Sequence, residues 1–356
     1  MRKILSVLTA LAMTAAVLTG CAKGGAETAA VSSGAETTAS VTTAESSSEA
    51  SSTEEAPKTN TLKIGSLKGP TSMGLVELMD KSEKGESEGS YEFTMVTAPD
   101  ELLGKIASGE LDIALVPANM ASIIYSKTNQ GISVININTL GVLYGVSSDS
   151  SISTVADLKG KTVYLTGKGA TPDYTLRHLL EKSGLSDSDV TLEYKSEAAE
   201  VAAILKENPE AVGLLPQPFV TVALAQNDAL KIVLDLSVEW DADETEDSGR
   251  LVTGVTICRN DVLKDQKEAV ETFMAEHFIS ADFANSKVAE AAVLVAEAGI
   301  IEKAPIAEKA IPYCGIVCID GGYMKSMLSG YLKVLFDMDP ASVGGTLPDD
   351  NFYYLP

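Results

Sequence analysis

From residue 61 onward, short apolar runs alternate with stretches of helical period. Residues 62–66 form a brief apolar run, and Leu75, Val76, Leu78 and Met79 then recur at helical spacing, which predicts a strand followed by a helix over 72–81. The polar stretch 82–90, with Gly85 and Gly89, is a turn. Residues 91–96 alternate and read as a strand. Pro99 opens a helix over 99–108 that Gly109 closes. A buried strand at 111–116 ends at Pro117, a helix covers 118–128, and another strand covers 132–138. Strand and helix in alternation, with short links, predict a mainly parallel sheet covered on both faces.

The apolar run 140–146, punctuated by Gly141 and Gly145, reads as the strand leaving a first lobe. A second series follows. It has a short helix and turn at 155–161, strands at 162–165, 190–194, 211–215 and 231–236, and helices at 172–183, 197–207 and 219–226. Residues 239–250 are acidic and carry the only tryptophan, Trp240. A strand at 251–258 precedes a mostly helical region, 261–339, broken at 312–322. The pattern predicts an α/β chain of two lobes. The first is built from 61–146 and 251–356, and the second, 147–250 with its hinge return, is inserted between them. Crossovers near 141–150 and 237–252 are the expected hinge.

The N-terminus changes the picture of where such a protein works. Met1, Arg2 and Lys3 precede an apolar run over 4–17 and then Leu18-Thr19-Gly20-Cys21. A basic start, a short apolar core and small residues before the cleavage point make a secretory signal over 1–21. Residues 22–60 are dominated by Ser, Thr, Ala, Glu and Gly and have too few large apolar side chains for a core, which predicts a disordered tether. The formal charge of −23 makes nucleic acid and anionic membrane surfaces poor partners. An acidic surface does not exclude an anionic ligand, because a pocket carries its own local potential.

The first strand-to-helix connection, Gly65-Ser66-Leu67-Lys68-Gly69-Pro70-Thr71-Ser72-Met73-Gly74, is the candidate wall of a ligand cleft. Such a turn aims backbone N–H groups and small hydroxyls past the helix start, and glycine lets a ligand approach the main chain. It lacks the Lys-Ser/Thr pair that follows the last glycine of a phosphate loop. Catalysis has little support: His178 and His277 lack partners by spacing and read as structural. Cys314 and Cys318 stand four apart, with Cys258 left over, and all three read as free or buried thiols. No metal site or cofactor is expected. The acidic run 241–247 lacks the ordered spacing of a calcium loop and reads as a solvated loop.

Leu18-Thr19-Gly20-Cys21 resembles the lipobox of bacterial lipoproteins, which implies lipidation at Cys21. The order of several motifs makes the chain similar to the substrate-binding proteins of ABC importers, in the group that includes sulfonate, nitrate and thiamine-precursor binding proteins. These motifs are the first glycine-rich turn, Gly109-Glu110-Leu111-Asp112-Ile113-Ala114, Val155-Ala156-Asp157-Leu158-Lys159-Gly160-Lys161-Thr162-Val163 and Leu215-Pro216-Gln217-Pro218-Phe219. The tail 342–354 resembles a C-terminal signature of one lipoprotein branch of the group.

The resemblance implies a periplasmic-binding-protein type II fold with two hinge crossovers and a small solute held between the lobes on strand-to-helix turns. That agrees with ligand binding beyond the carboxyl ends of strands in open α/β sheets. The implied ligand-binding residues are Ser66, Lys68, Gly69, Thr71, Ser72 and Met73; Asn119, beside Pro117 and Ala118; Lys168, Gly169, Ala170 and Thr171, after Gly167; and Gln217. Leu140 and Tyr144 are the expected pocket floor. Each has a plainer alternative: turn geometry for the glycines, a helix cap for Asn119, lobe packing for Tyr144, and solvated rim charges for Lys68 and Lys168. Many relatives have Glu where Gln217 stands, and these turns contain no Arg to clamp an anion, so ligand charge stays open. The implied partners are a permease and an ATPase, with a monomer tethered by lipid outside the cell membrane. The alternative is a sensor or adaptor lipoprotein of the same fold.

Overall fold

A computed structural model describes residues 61–242 and 249–356. Residues 1–60, where a signal and tether are expected and which include Cys21, and most of the acidic run lie outside the described residues. The strands are β1 (Leu62–Leu67), β2 (Tyr91–Val96), β3 (Ile113–Pro117), β4 (Ile132–Leu140), β5 (Leu143–Ser147), β6 (Thr162–Thr166), β7 (Thr191–Lys195), β8 (Val212–Pro216), β9 (Lys231–Asp235), β10 (Val252–Arg259) and β11 (Ile316–Ile319). They form two sheets, one in the order β11-β4-β10-β3-β1-β2 and one in the order β7-β6-β8-β5-β9. Helices follow β1, β2, β3, β6, β7 and β8, as the alternating pattern requires.

Both sheets are mixed rather than mainly parallel in their pairing. β1 is parallel to β2 and β3, and β6 to β7 and β8. β10 is antiparallel to β3 and β4, and β5 is antiparallel to β8 and β9. The reason lies in the crossovers. A strand that enters a sheet from its carboxyl edge has to run back against the strands that end there. β5 and β10 are those strands, each starting where the chain arrives from the other sheet.

The apolar run 140–146 is divided between the sheets. β4 ends at Leu140 in the first, and β5 begins at Leu143 in the second. Gly141 and Val142 between them take φ of 69° and 71°. Glycine suits the positive φ at 141, and a Cβ there would lie 2.0 Å from the Ser237 Oγ of the other crossover, so that hydroxyl would have to turn aside. The Gly141 N–H donates to the Leu251 carbonyl at 2.8 Å, so the two crossovers lie side by side.

Two other expectations need correcting. The helix expected over 72–81 is two pieces, Pro70–Met73 and Val76–Lys84, divided at Gly74 and Leu75. The break at 312–322 contains β11, which extends the first sheet beyond β4. Four residues between glycines are too few to show a period.

The core is continuous across the sheets. One apolar cluster runs from Val116 and Ile137 of the first sheet, through Leu328, Tyr331 and Leu335 of the helix Gly321–Met338, to Val163, Leu176 and Trp240 of the second lobe. Separate clusters fill the rest of each lobe.

Gly315 seals β11 to the first crossover. Its φ is +55°, and a Cβ would stand 1.8 Å from the Leu140 carbonyl oxygen. Gly85 has φ +71° with open space around it. Gly85→Ala is therefore expected to cost about 1 kcal/mol, the left-handed penalty alone. Gly315→Ala is expected to cost several-fold more, because backbone must also move. Chemical denaturation of the two variants checks this; equal losses would contradict the close approach.

Candidate functional site

The pairing registers alone decide how the two sheets face each other. Leu143 at the start of β5 pairs with Pro216 at the end of β8, and Val252 at the start of β10 pairs with Leu140 at the end of β4. Both crossovers thus join the carboxyl edge of one sheet to the carboxyl edge of the other. The turns after β1 and β3 lie on the first edge, and those after β6 and β8 lie on the second. These are the turns that hold most of the expected site residues.

The turn after β1 uses its hydroxyls on itself. Ser72 Oγ donates to Ser66 Oγ at 2.7 Å and to the Leu67 carbonyl, and Thr71 Oγ1 donates to that carbonyl at 3.0 Å. Ser66 and Ser72 are buried, so their role is to close the turn. Met73 is fully buried among the C-terminal helices and is a core residue, not part of a cleft wall. Lys68 is exposed, and its N–H is held by the Val96 carbonyl at 2.8 Å. Gly69 is buried, yet a Cβ there would meet nothing within 4 Å, so its backbone borders an empty space within the fold. Without a side chain, the main chain itself forms the wall of that space. Beside the turn, a Cβ on Gly254 would lie 2.5 Å from Asn138 Oδ1 and 3.0 Å from both Thr139 Oγ1 and Thr71 Cγ2. Gly254 thus lets a buried polar floor of Asn138 and Thr139 reach Thr71. Thr139 Oγ1 donates to Asn138 Oδ1 at 2.8 Å, and Asn138 Nδ2 donates to Thr256 Oγ1 at 3.1 Å.

Asn119 follows β3, but its Nδ2 donates to the Ser342 carbonyl at 3.2 Å, tying the helix Ala118–Lys127 to the C-terminal segment. Leu140 is half-buried, with its N–H on the Gly315 carbonyl. Tyr144 is packing rather than floor. It is 6% exposed, its hydroxyl donates to the Tyr313 carbonyl at 2.9 Å, and its ring meets Tyr313 edge-on.

On the second edge, Gly167 and Gly169 take φ of 73° and 72° and shape the turn before the helix Thr171–Lys182. Ala170 is its extended N-cap and Thr171 its first residue. Asp173, which the sequence pattern did not single out, organises this turn. Its Oδ2 accepts from the Gly169 N–H at 2.8 Å, and its Oδ1 accepts from Arg177 Nε at 2.6 Å and from the Tyr194 hydroxyl at 2.7 Å. Lys168 is exposed, with its ammonium 5.4 Å from the centre of the Tyr194 ring. Gln217 is 2% exposed and is held on one side only. Its Oε1 accepts from the Thr221 hydroxyl at 2.9 Å and the Thr221 N–H at 3.3 Å, and its Nε2 has no partner. The fixed Thr221 N–H decides which end of the amide is oxygen.

The expected residues therefore lie on two facing edges, but each turn is hydrogen-bonded within its own surroundings. Asn138, Thr139, Asp173 and Tyr194 are the polar residues that sequence reasoning missed. A signal for the first existed, since Asn136 and Asn138 alternate with isoleucine in a strand that is buried along nearly its whole length.

The histidines and thiols have structural settings. His277 is fully buried with Nδ1 3.2 Å from Asn136 Nδ2, and burial pulls its pKa down to about 4. The His178 ring lies 4.7 Å from Trp240. Burial pushes Cys314 and Cys318 up to about 12, so both thiols stay protonated at neutral pH.

Comparison with known proteins agrees with this geometry. An ABC transporter from Parabacteroides distasonis superposes with a TM-score of 0.71 at 23% identity, covering 83% of this chain and 98% of that one. The periplasmic aliphatic sulphonate binding protein SsuA from Escherichia coli gives a TM-score of 0.65 at 17% identity, covering 83% and 92%. The alkanesulfonate-binding protein SsuA from Xanthomonas axonopodis pv. citri, bound to MOPS, gives 0.58 at 17% identity, covering 81% and 94%. The fold is thus the two-lobed periplasmic-binding-protein type II fold with two hinge crossovers. The family model described as NMT1/THI5 like matches residues 93–290, more than half of the chain, and the chain belongs to that family. No curated protein matches the sequence.

His277 gives a pH test of the core beneath the first turn. Its folded pKa is below its unfolded value of about 6.5. Its contribution is complete above that value. It shrinks as pH falls towards 4, because the unfolded chain takes up a proton that the folded chain refuses. The loss is on the order of 3 kcal/mol by pH 4. Denaturation midpoints measured from pH 7 to pH 4 should fall less steeply in His277→Gln than in the parent; parallel curves would contradict the assignment.

Proposed function

We propose that the chain is an extracytoplasmic solute-binding protein of an ABC importer, lipid-anchored through Cys21, that captures a small organic solute between its two lobes. The observation that carries this reading is the meeting of two carboxyl edges, each bearing a glycine-shaped turn, across paired crossovers. On one edge the buried Gly69 backbone borders empty space, and on the other Lys168 with Tyr194 offers a cation on an aromatic face. The kinship with importer binding proteins supports the same reading.

Binding of this kind breaks no bond in the solute. Convergent polar groups and an apolar wall suffice, and bending at the crossovers brings the edges together and excludes water. Residues 61–146 with 251–356 then act as one jaw and 147–250 as the other. A permease and its ATPase partner recognise the closed form, and the tether over 22–60 keeps the protein near them.

Native mass spectrometry of freshly purified protein tests the proposal. A bound small molecule is expected, released on denaturation and restored on refolding with the extract. Protein that carries no adduct, and whose melting temperature rises with no member of a broad solute library, would refute it.

A further inference from the structure

The helix Gly321–Met338 and the segment after it form a third connection between the lobes, separate from the two crossovers. On the first-lobe side the attachment is firm. Ser122 Oγ donates to the Val343 carbonyl at 2.7 Å in a buried setting, and Asn119 Nδ2 holds the Ser342 carbonyl. Both donors sit on the helix that follows β3.

On the second-lobe side the helix Gly321–Met338 packs through the shared apolar core, and a polar tie stands at its end. The Tyr174 hydroxyl, on the helix that follows β6, donates to Asp339 Oδ2 at 2.7 Å. The other Asp339 oxygen accepts from the Ala341 N–H at 2.9 Å, which orients the carboxylate. Behind this bond, Tyr331 lies fully buried with its ring 5.6 Å from Trp240 and its hydroxyl facing Thr171 and Thr175. The hydroxyls of Tyr331 and Thr175 and the indole N–H of Trp240 are buried without completed hydrogen bonds. Weakly partnered polar groups buried at one seam hold it less firmly than completed hydrogen bonds would.

The segment 339–343 is tied to helices of both lobes, so a turn at the crossovers cannot preserve every tie. The Tyr174–Asp339 bond, partly buried and made between two side-chain tips, yields before the buried Ser122–Val343 bond of the first lobe. We propose that the seam between helices Thr171–Lys182 and Gly321–Met338 is the bearing on which the lobes turn, and that Tyr174–Asp339 is the latch holding it in the arrangement seen here. The proposal goes beyond solute binding. It rests on that reading only for the use made of the motion, and its test needs no ligand.

Trp240 is the only tryptophan in the chain and reports on the seam directly. In the full-length protein at fixed pH, acrylamide quenching of its emission is measured for the parent, Tyr174→Phe, Asp339→Asn and the double variant. The quenching constant is expected to rise at least about twofold in each single variant and no further in the double, because both remove one bond. Cooperative melting should persist in Tyr174→Phe, which loses a single hydroxyl. Asp339→Asn also disturbs the Ala341 cap, so Tyr174→Phe decides if the two disagree. Quenching in a cooperatively folded Tyr174→Phe equal to the parent overturns the latch. A latch that passes this test while no solute binds would leave the bearing standing and remove its proposed use.

Discussion

The architecture depends on one constraint of strand pairing. Each crossover ends a strand at the carboxyl edge of one sheet and starts the next at the carboxyl edge of the other, as Leu140 with Val252 and Leu143 with Pro216 record. Once that is set, β5 and β10 must run against their neighbours, and the strand-to-helix turns of both sheets must face across the hinge. Helix N-termini then collect at the junction of the two edges, which is where a solute gains most from polar contact.

What the facing turns offer differs from what a hydroxyl-rich turn suggests. Ser66, Thr71 and Ser72 close the first turn through their hydroxyls, which leaves the Gly69 main chain, buried but with empty space beside it, as the part a solute could meet. In the second turn Asp173 absorbs the Gly169 N–H and, through Tyr194, fixes the surface on which Lys168 rests. Rigid turns of this kind lose little further entropy on binding, which favours a solute-receiving role.

The sequence made the elements legible where proline and glycine punctuate them. Tyr91–Val96, Pro99–Ser108 and Phe219–Gln226 fall where the pattern puts them. Strand direction was not legible, because period and propensity carry no information on pairing. β11 was missed for its length, and the helix after the first turn was joined across Gly74 because both pieces keep an apolar face. Site positions were legible as turns and not as side chains. Asn119 looked like a helix cap or a ligand group, yet its partner is Ser342, 223 residues away. Met73 continued a turn motif and went instead into a core supplied by the far end of the chain. Asp173 could be recognised only once Tyr194 and Gly169 were beside it.

The central claim is that two turns from opposite lobes act as one site. Hydrogen–deuterium exchange, compared between solute-loaded protein and protein stripped by unfolding and refolding, addresses it directly. The account predicts slower exchange on loading in both the 67–73 and 167–171 turns, together with the crossovers at 140–143 and 236–252. Protection confined to one turn, or found only away from both, would contradict it.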